Sequence, residues 1–281
     1  MNAPTLKTRF LVLTPATLSL ALTLPLFGAE PETPALDKRQ YNLFNPTPPD
    51  LMRELSPDRP DTTESPITLD AGHFAMEVSW FDWSRDGGDD AFTILSSNLK
   101  LGLFNDVDIQ AVFNVYTWED LADGSNAEGF GDVQVRLKYN LWGNDSGETA
   151  LALFPYVQIP TGAELSNGEW EGGLIIPFSV TLTDSLSLGL MAEFDAVYDD
   201  TEGEYELVFL HSAVLGISLT ERWGTFVEYF GIAGDASYQP HASGGFTFTV
   251  NENLILDCGV RVGLSSDSED LGVFTGFTKR F

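Results

Sequence analysis

From Asp132 to Leu141 the chain alternates residue by residue between polar and apolar side chains. Val133, Val135, Leu137, Tyr139 and Leu141 take one face, and Asp132, Gln134, Arg136, Lys138 and Asn140 take the other. A helix would scatter those charges around its whole circumference, so the stretch reads as a strand with one apolar wall and one charged wall. The same division recurs from His73 to the end of the chain. Phe74, Met76 and Val78 oppose Ala75, Glu77 and Ser79, and Val107, Ile109, Ala111 and Phe113 oppose Asp108, Gln110 and Asn114. Further on, Leu186, Leu188, Leu190 and Phe194 oppose Glu193 and Asp195, and Leu254, Leu256, Val260 and Val262 oppose Asp257 and Arg261.

Alternation alone fits a soluble β-sandwich as well as a membrane barrel. The runs are about ten residues long, the length a tilted strand needs to cross a bilayer. The connections also sort into two kinds. Short turns at 103–109, 182–188, 219–226 and 250–256, with a somewhat longer one at 142–150, alternate with acidic, glycine-rich loops such as "SRDGGDD", "EDLADGSNAEG", "TGAELSNGEWEGG", "DDTEGE" and "SSDSED". A barrel with one rim in the periplasm and the other outside has a reason to sort its loops; a sandwich has none. The expected fold is therefore all-β: a transmembrane, antiparallel, up-and-down β-barrel of about twelve strands over 71–281. Trp80, Trp83 and Trp118 are expected near the long-loop rim, and Trp142 and Trp223 near the short-turn rim, as two aromatic girdles. The final strand, "VFTGFTKRF", stops on Phe281, which is expected at the periplasmic rim with Lys279 snorkelling beside it.

The N-terminus supports export. Lys7 and Arg9 precede an apolar run from Phe10 to Phe27 and a small-residue exit at Gly28 and Ala29, the order of a signal peptide over 1–29. Residues 30–70 are crowded with proline, which breaks ladders, so they read as a periplasmic linker or lid. A single cysteine, Cys258, excludes an intrachain disulfide. A net charge of −28 makes nucleic acid a poor partner.

Several stretches together resemble one family: 45–78 with its "SPDRPDTTESP", "GFGDVQVRLKYNLW" at 129–142, "VQIPTG" at 157–162, the repeated short turns and the terminal Phe. It is the outer-membrane transporter family of Gram-negative bacteria labelled as the meta-pathway of phenol degradation. The resemblance runs from about Asn45 to Phe281 and is most specific at Asp58 to Pro66 and Gly129 to Tyr139. It implies a barrel that passes small, aromatic or hydrophobic compounds, and a terminal Phe281 read by the barrel-assembly machinery.

No catalytic constellation is apparent. "HS" at 211–212 points its two side chains to opposite faces, and His73 and His241 have no flanking signature. No histidine pair has a metal-ligand spacing, so neither metal nor cofactor is expected. The face opposite the apolar one is expected to line the lumen with Glu77, Asp108, Arg136, Lys138, Glu193, Asp195, Glu206, Glu228, Asp257 and Arg261. Such mixed charge either lines a water path or pairs across the bore and closes it. Asp58, Arg59, Asp61 and Glu64 are expected at the periplasmic mouth, either capping it or lying in a plain tether. The expected function is an outer-membrane channel or transporter for passive passage of small solutes. The alternative is a structural or adhesive barrel whose acidic loops bind ions or lipopolysaccharide. An enzyme is not expected; the partners expected are outer-membrane lipid and lipopolysaccharide, the assembly machinery and a small solute.

Overall fold

The computed structural model describes residues 37–199, 203–234 and 237–281. The signal peptide expected over 1–29, and the start of the proline-rich segment, lie outside the described residues. Thirteen strands occur among those described: β1 (Phe74–Asp86), β2 (Asp89–Phe104), β3 (Val107–Asp120), β4 (Asn126–Gly129), β5 (Val133–Trp142), β6 (Thr149–Ile159), β7 (Glu171–Thr183), β8 (Leu186–Asp199), β9 (Glu204–Ser218), β10 (Trp223–Ala233), β11 (Tyr238–Asn251), β12 (Leu254–Gly263) and β13 (Leu271–Arg280). Every pairing is antiparallel, and β1 bonds both β2 and β13, so twelve strands close into a ring. β4 stands outside that ring and pairs only with the loop end of β3. No helix among the described residues is long and apolar enough to cross a membrane; the strands cross instead.

The ring is inside out relative to a soluble domain. Leu207 is 65% exposed and Val227 60% exposed on the outer surface, whereas Lys138 and Asp108 are completely buried. Hydrocarbon outside and charge inside is stable only where the outer solvent is lipid, which excludes the sandwich. At the rim holding both ends of the wall, the Phe281 amide donates to the Phe74 carbonyl at 2.8 Å, and the two rings lie 5.7 Å apart. Trp142 and Trp223 are half exposed at the same rim. Tyr116, Trp118 and Phe92 cluster at the opposite rim. These are the two belts that amphipathic rings form at a membrane surface. The ammonium of Lys279 lies 5.7 Å from the centre of the Phe281 ring.

Two details differ from the sequence reading. Trp80 sits midway along β1, where the register against β13 shifts between Ser79 and Phe81. This bulge leaves Trp80 outward and turns Asp82 inward toward Arg261. Loop lengths are also less sorted than the alternation of polar stretches implies. "SRDGGDD" is not a loop: β1 runs to Asp86 and β2 starts at Asp89, joined by Gly87 and Gly88 with φ of +57° and +104°. Positive φ at both central residues gives a tight hairpin whose twist matches the strands, and only glycine adopts it freely. Much of the acidic sequence is therefore strand continuing past the bilayer; β2 has 16 residues and β9 has 15.

Candidate functional site

The proline-rich segment enters the barrel. Asn42 to Asn45 turn against the end of β2, where the Leu43 amide donates to the Leu103 carbonyl at 2.9 Å. Arg53 then anchors the entry: its guanidinium reaches Asp145, Asn105 and the Thr68 carbonyl. Lys38, Arg53 and Arg280 converge on the buried Asp70 at 3.5 to 3.7 Å. Burial alone would raise the Asp145 carboxyl, but hydrogen bonds from Arg53, Asn105 and Lys38 outweigh it and hold it at about 2.

Residues Asp58 to Ser65 cross the interior from wall to wall. The Asp58 amide donates to both carboxylate oxygens of Glu77 on β1, at 3.1 and 3.2 Å. Its own carboxylate takes Lys138 of β5 at 2.6 Å and Lys100 of β2 at 2.5 Å, and also accepts Gln110 of β3. Arg59 leans the other way and binds Asp257 of β12 through two nitrogens, at 2.6 and 2.8 Å. The inward-facing Gly276 leaves room for that guanidinium; a Cβ there would collide with it. The amides of Thr62 and Thr63 donate to Glu228 of β10, and the Thr63 hydroxyl meets Ser212 of β9. Glu64 pairs with Arg136 of β5. On the way back to β1, Asn140 and Lys138 donate to the carbonyls of Pro66 and Ile67, and Asp108 accepts the Leu69 amide.

This arrangement follows from the segment's composition. A proline-rich stretch makes no ladder of its own, so every amide it buries needs a partner elsewhere. Glu77, Glu228 and Asp108 are those partners, which is why carboxylates of the wall are buried rather than facing an open water column. The pairs of Asp58 and Arg59 are also hydrogen bonded on their remaining atoms, the condition under which buried pairs hold, whereas the second oxygen of Glu64 has no partner.

The sequence-predicted residues therefore divide. Glu77, Asp108, Arg136, Lys138, Glu228 and Asp257 touch the segment directly. Arg261 instead pairs with Asp82 and Glu269, and Asp195 accepts the Tyr156 hydroxyl, both on the loop side of the crossing. Glu193 shares that side, two residues before Asp195 on β8, and Glu206 is half-buried on β9. Asp58, Arg59 and Glu64 lie several residues inside the wall, deeper than a mouth cap. Asp61 lines a cavity of about 400 Å³ between the segment and strands β7 to β11. Lys100 and Ser212 were not anticipated, and Gln110 and Asn140 were placed on the polar face without a role. Lys100 had a signal: in "NLKLGL" it lies two residues from Asn98 and Gly102, on the face opposite Leu99 and Leu101.

Each histidine has a partner that explains it. His73 reaches the Thr47 and Phe281 carbonyls, His211 meets the Tyr238 hydroxyl, and His241 stacks on Phe230 and meets the Gln239 carbonyl.

No curated protein matches the sequence. Among solved structures, the chain is similar to the COG4313 outer membrane channel from Pseudomonas putida F1, with a TM-score of 0.56 at 11% identity, covering 79% of this chain and 99% of that one. It is also similar to the NanC porin, with a TM-score of 0.52 at 10% identity, covering 74% and 98%. Together with the inverted exterior, these likenesses make the fold an outer-membrane β-barrel. The family model described as "MetA-pathway of phenol degradation" matches residues 57–281, the crossing segment and the whole ring, and the chain belongs to that family.

Proposed function

We propose that this barrel is a passive channel for small solutes whose central path is closed, in the described conformation, by the Asp58–Ser65 crossing. The observation that carries the reading is the nature of that closure. The crossing is joined to the ring by ion pairs and hydrogen bonds on seven strands, without a ladder pairing of its own. Such a closure can be displaced while the ring stays intact. Family membership and the apolar cluster behind β6 support small aromatic or hydrophobic solutes as the cargo. The cavity of about 400 Å³ beside the crossing lies in the size range of small-molecule pockets. On this reading Asp58, Arg59, Asp61 and Glu64 act as an internal gate, and Glu193, Asp195, Glu206 and Arg261 line the outer vestibule. Segment 1–29 remains the export signal, and Phe281 the terminus offered to the assembly machinery.

The test is single-channel conductance of the refolded protein in a planar bilayer, compared with the Asp58→Ala/Arg59→Ala variant. Rare, small openings in the native protein and frequent, larger ones in the variant are expected. A folded variant as silent as the native protein would remove the lumen from the solute path.

A second reading, a structural or adhesive barrel, draws on the acidic loop rim, where Asp86, Asp89, Asp120, Asp123, Asp267 and Asp270 stand with Arg85. Divalent ions bridging these groups to lipopolysaccharide would make outer-membrane retention sensitive to chelator. Retention that chelator leaves unchanged would count against it.

A further inference from the structure

A polar cluster lies on the outside of the ring. His211 of β9 has the parity of Leu207, and Tyr229 of β10 that of Val227, so both face lipid, as does Tyr238 of β11. The Tyr238 hydroxyl meets His211 Nε2 at 3.0 Å and the Tyr229 hydroxyl at 2.6 Å. The His211 and Tyr238 rings stack with centres 6.0 Å apart, 14° from parallel. Gly231 permits this: a Cβ there would stand 2.3 Å from the Tyr238 oxygen, so the phenol lies across the missing side chain to reach β9. The row that holds His211 continues through Ala192 on β8, Gly231 on β10 and Pro240 on β11, so no large side chain stands beside the imidazole in its own row.

The cluster cannot satisfy itself. A neutral imidazole carries one N–H and each phenol one O–H, and the two internal hydrogen bonds use only two of these three donors. With the proton on Nδ1 the spare donor is that N–H; with it on Nε2 the spare is a tyrosine hydroxyl. Among the described residues no acceptor meets it. A donor left unpaired in hydrocarbon is costly, and lipid is the nearest source of an acceptor. Amphipathic rings of a membrane belt turn their polar tips toward water, whereas these three turn theirs toward one another. Counted from Trp223 at the short-turn rim, a rise of about 2.5 Å per residue in a strand tilted by about 40° puts Gly231 about 20 Å up a hydrocarbon band about 25 Å tall. The cluster is therefore below the loop-side edge of the band, in the leaflet that such barrels turn outward with their longer connections.

We propose that His211, Tyr229 and Tyr238 form a binding site on the outer wall for the lipid A part of lipopolysaccharide. The acyl-linkage carbonyls and hydroxyls of lipid A lie just below its sugars, at the depth of the cluster, and supply the missing acceptor. Phospholipid of the opposite leaflet carries its ester oxygens at the Trp223 rim, out of reach. The site stands on the other face of the wall from the crossing and is independent of the channel reading. The test is urea unfolding of the refolded protein in phosphatidylcholine vesicles, alone, with purified lipid A, or with phosphatidylglycerol as an anionic ester lipid. A ligand that binds only the folded protein raises its stability, so lipid A is expected to raise the native midpoint. The variant His211→Leu/Tyr229→Phe/Tyr238→Phe is expected to match or exceed the native midpoint in phosphatidylcholine, because it carries no spare donor, and to gain clearly less from lipid A. Gly231→Ala, which displaces the Tyr238 ring while keeping every polar group, is expected to lose the same gain and carries the test if the triple variant does not fold. An equal gain from lipid A in native protein and variants would overturn the site. A native gain from phosphatidylglycerol as large as that from lipid A would overturn it too, assigning the cluster to ester oxygens of any lipid.

Discussion

Asp58 Oδ1 and Lys138 Nζ lie 2.6 Å apart, and neither side chain reaches solvent. Removing one partner of such a pair strands the other charge in the interior, at a cost of about 3–5 kcal/mol. Lys138→Met, similar in length but uncharged, is expected to release the crossing while the ring remains folded. Protease cleavage between Asp58 and Ser65, added from the periplasmic side of vesicles, measures it; protection equal to native would show that Lys138 is dispensable to the closure.

Arg59 depends on a missing side chain. Because a Cβ at Gly276 would meet both the guanidinium and the Val78 carbonyl of β1, the change that isolates Arg59 is Asp257→Ala, which is expected to remove both of its hydrogen bonds to that carboxylate and leave the β1–β13 seam intact. Conductance should rise, while the heat-induced gel shift that reports a closed ring stays native. An unchanged conductance would mean that the Lys100 and Lys138 side alone closes the path.

The entry clamp should be sensitive to acid. The Asp145 carboxyl, at about 2 in the folded protein, lies below its ordinary 3.8, so the protein with the clamp closed binds fewer protons than the one with it open. The stabilisation is complete above about pH 4 and fades as the pH falls toward 2. Pepsin, active in this range, is expected to cleave near Leu51 increasingly as the pH is lowered. Asp145→Asn should show high cleavage throughout; a native pH profile in that variant would place the sensitivity elsewhere.

The outer surface gives a prediction of opposite sign to the interior. Val227 faces lipid from the middle of β10, so Val227→Arg is expected to lower folding stability in vesicles by about 2–4 kcal/mol. Urea titration of the refolded protein checks this. A change within a few tenths of a kcal/mol would place that face against protein rather than lipid.

Much of the ring was legible because side-chain parity is a local property. Val133 to Leu141 declares its two faces within ten residues, and the partner strand need not be known to read it. What the inward charges do was not legible. Lys138 and Asp58 are 80 residues apart, and Arg59 and Asp257 are 198 apart; no periodicity connects them. The same charges would suit a water-filled bore, and only the segment's course through the barrel distinguishes the two. Loop lengths misled for a different reason. Acidic residues follow a strand into water as readily as they fill a loop, so "SRDGGDD" looked alike in either case.

The crossing also imposes an order on folding. Its partners lie on β1, β2, β3, β5, β9, β10 and β12, and no consecutive set of strands short of nearly the whole ring contains them all. β1 must meet β13 before Glu77 and Asp257 can stand on opposite ends of Asp58 and Arg59. The stretch that precedes every strand in the chain is thus among the last to find its place, and its docking reports that the barrel behind it has closed in register.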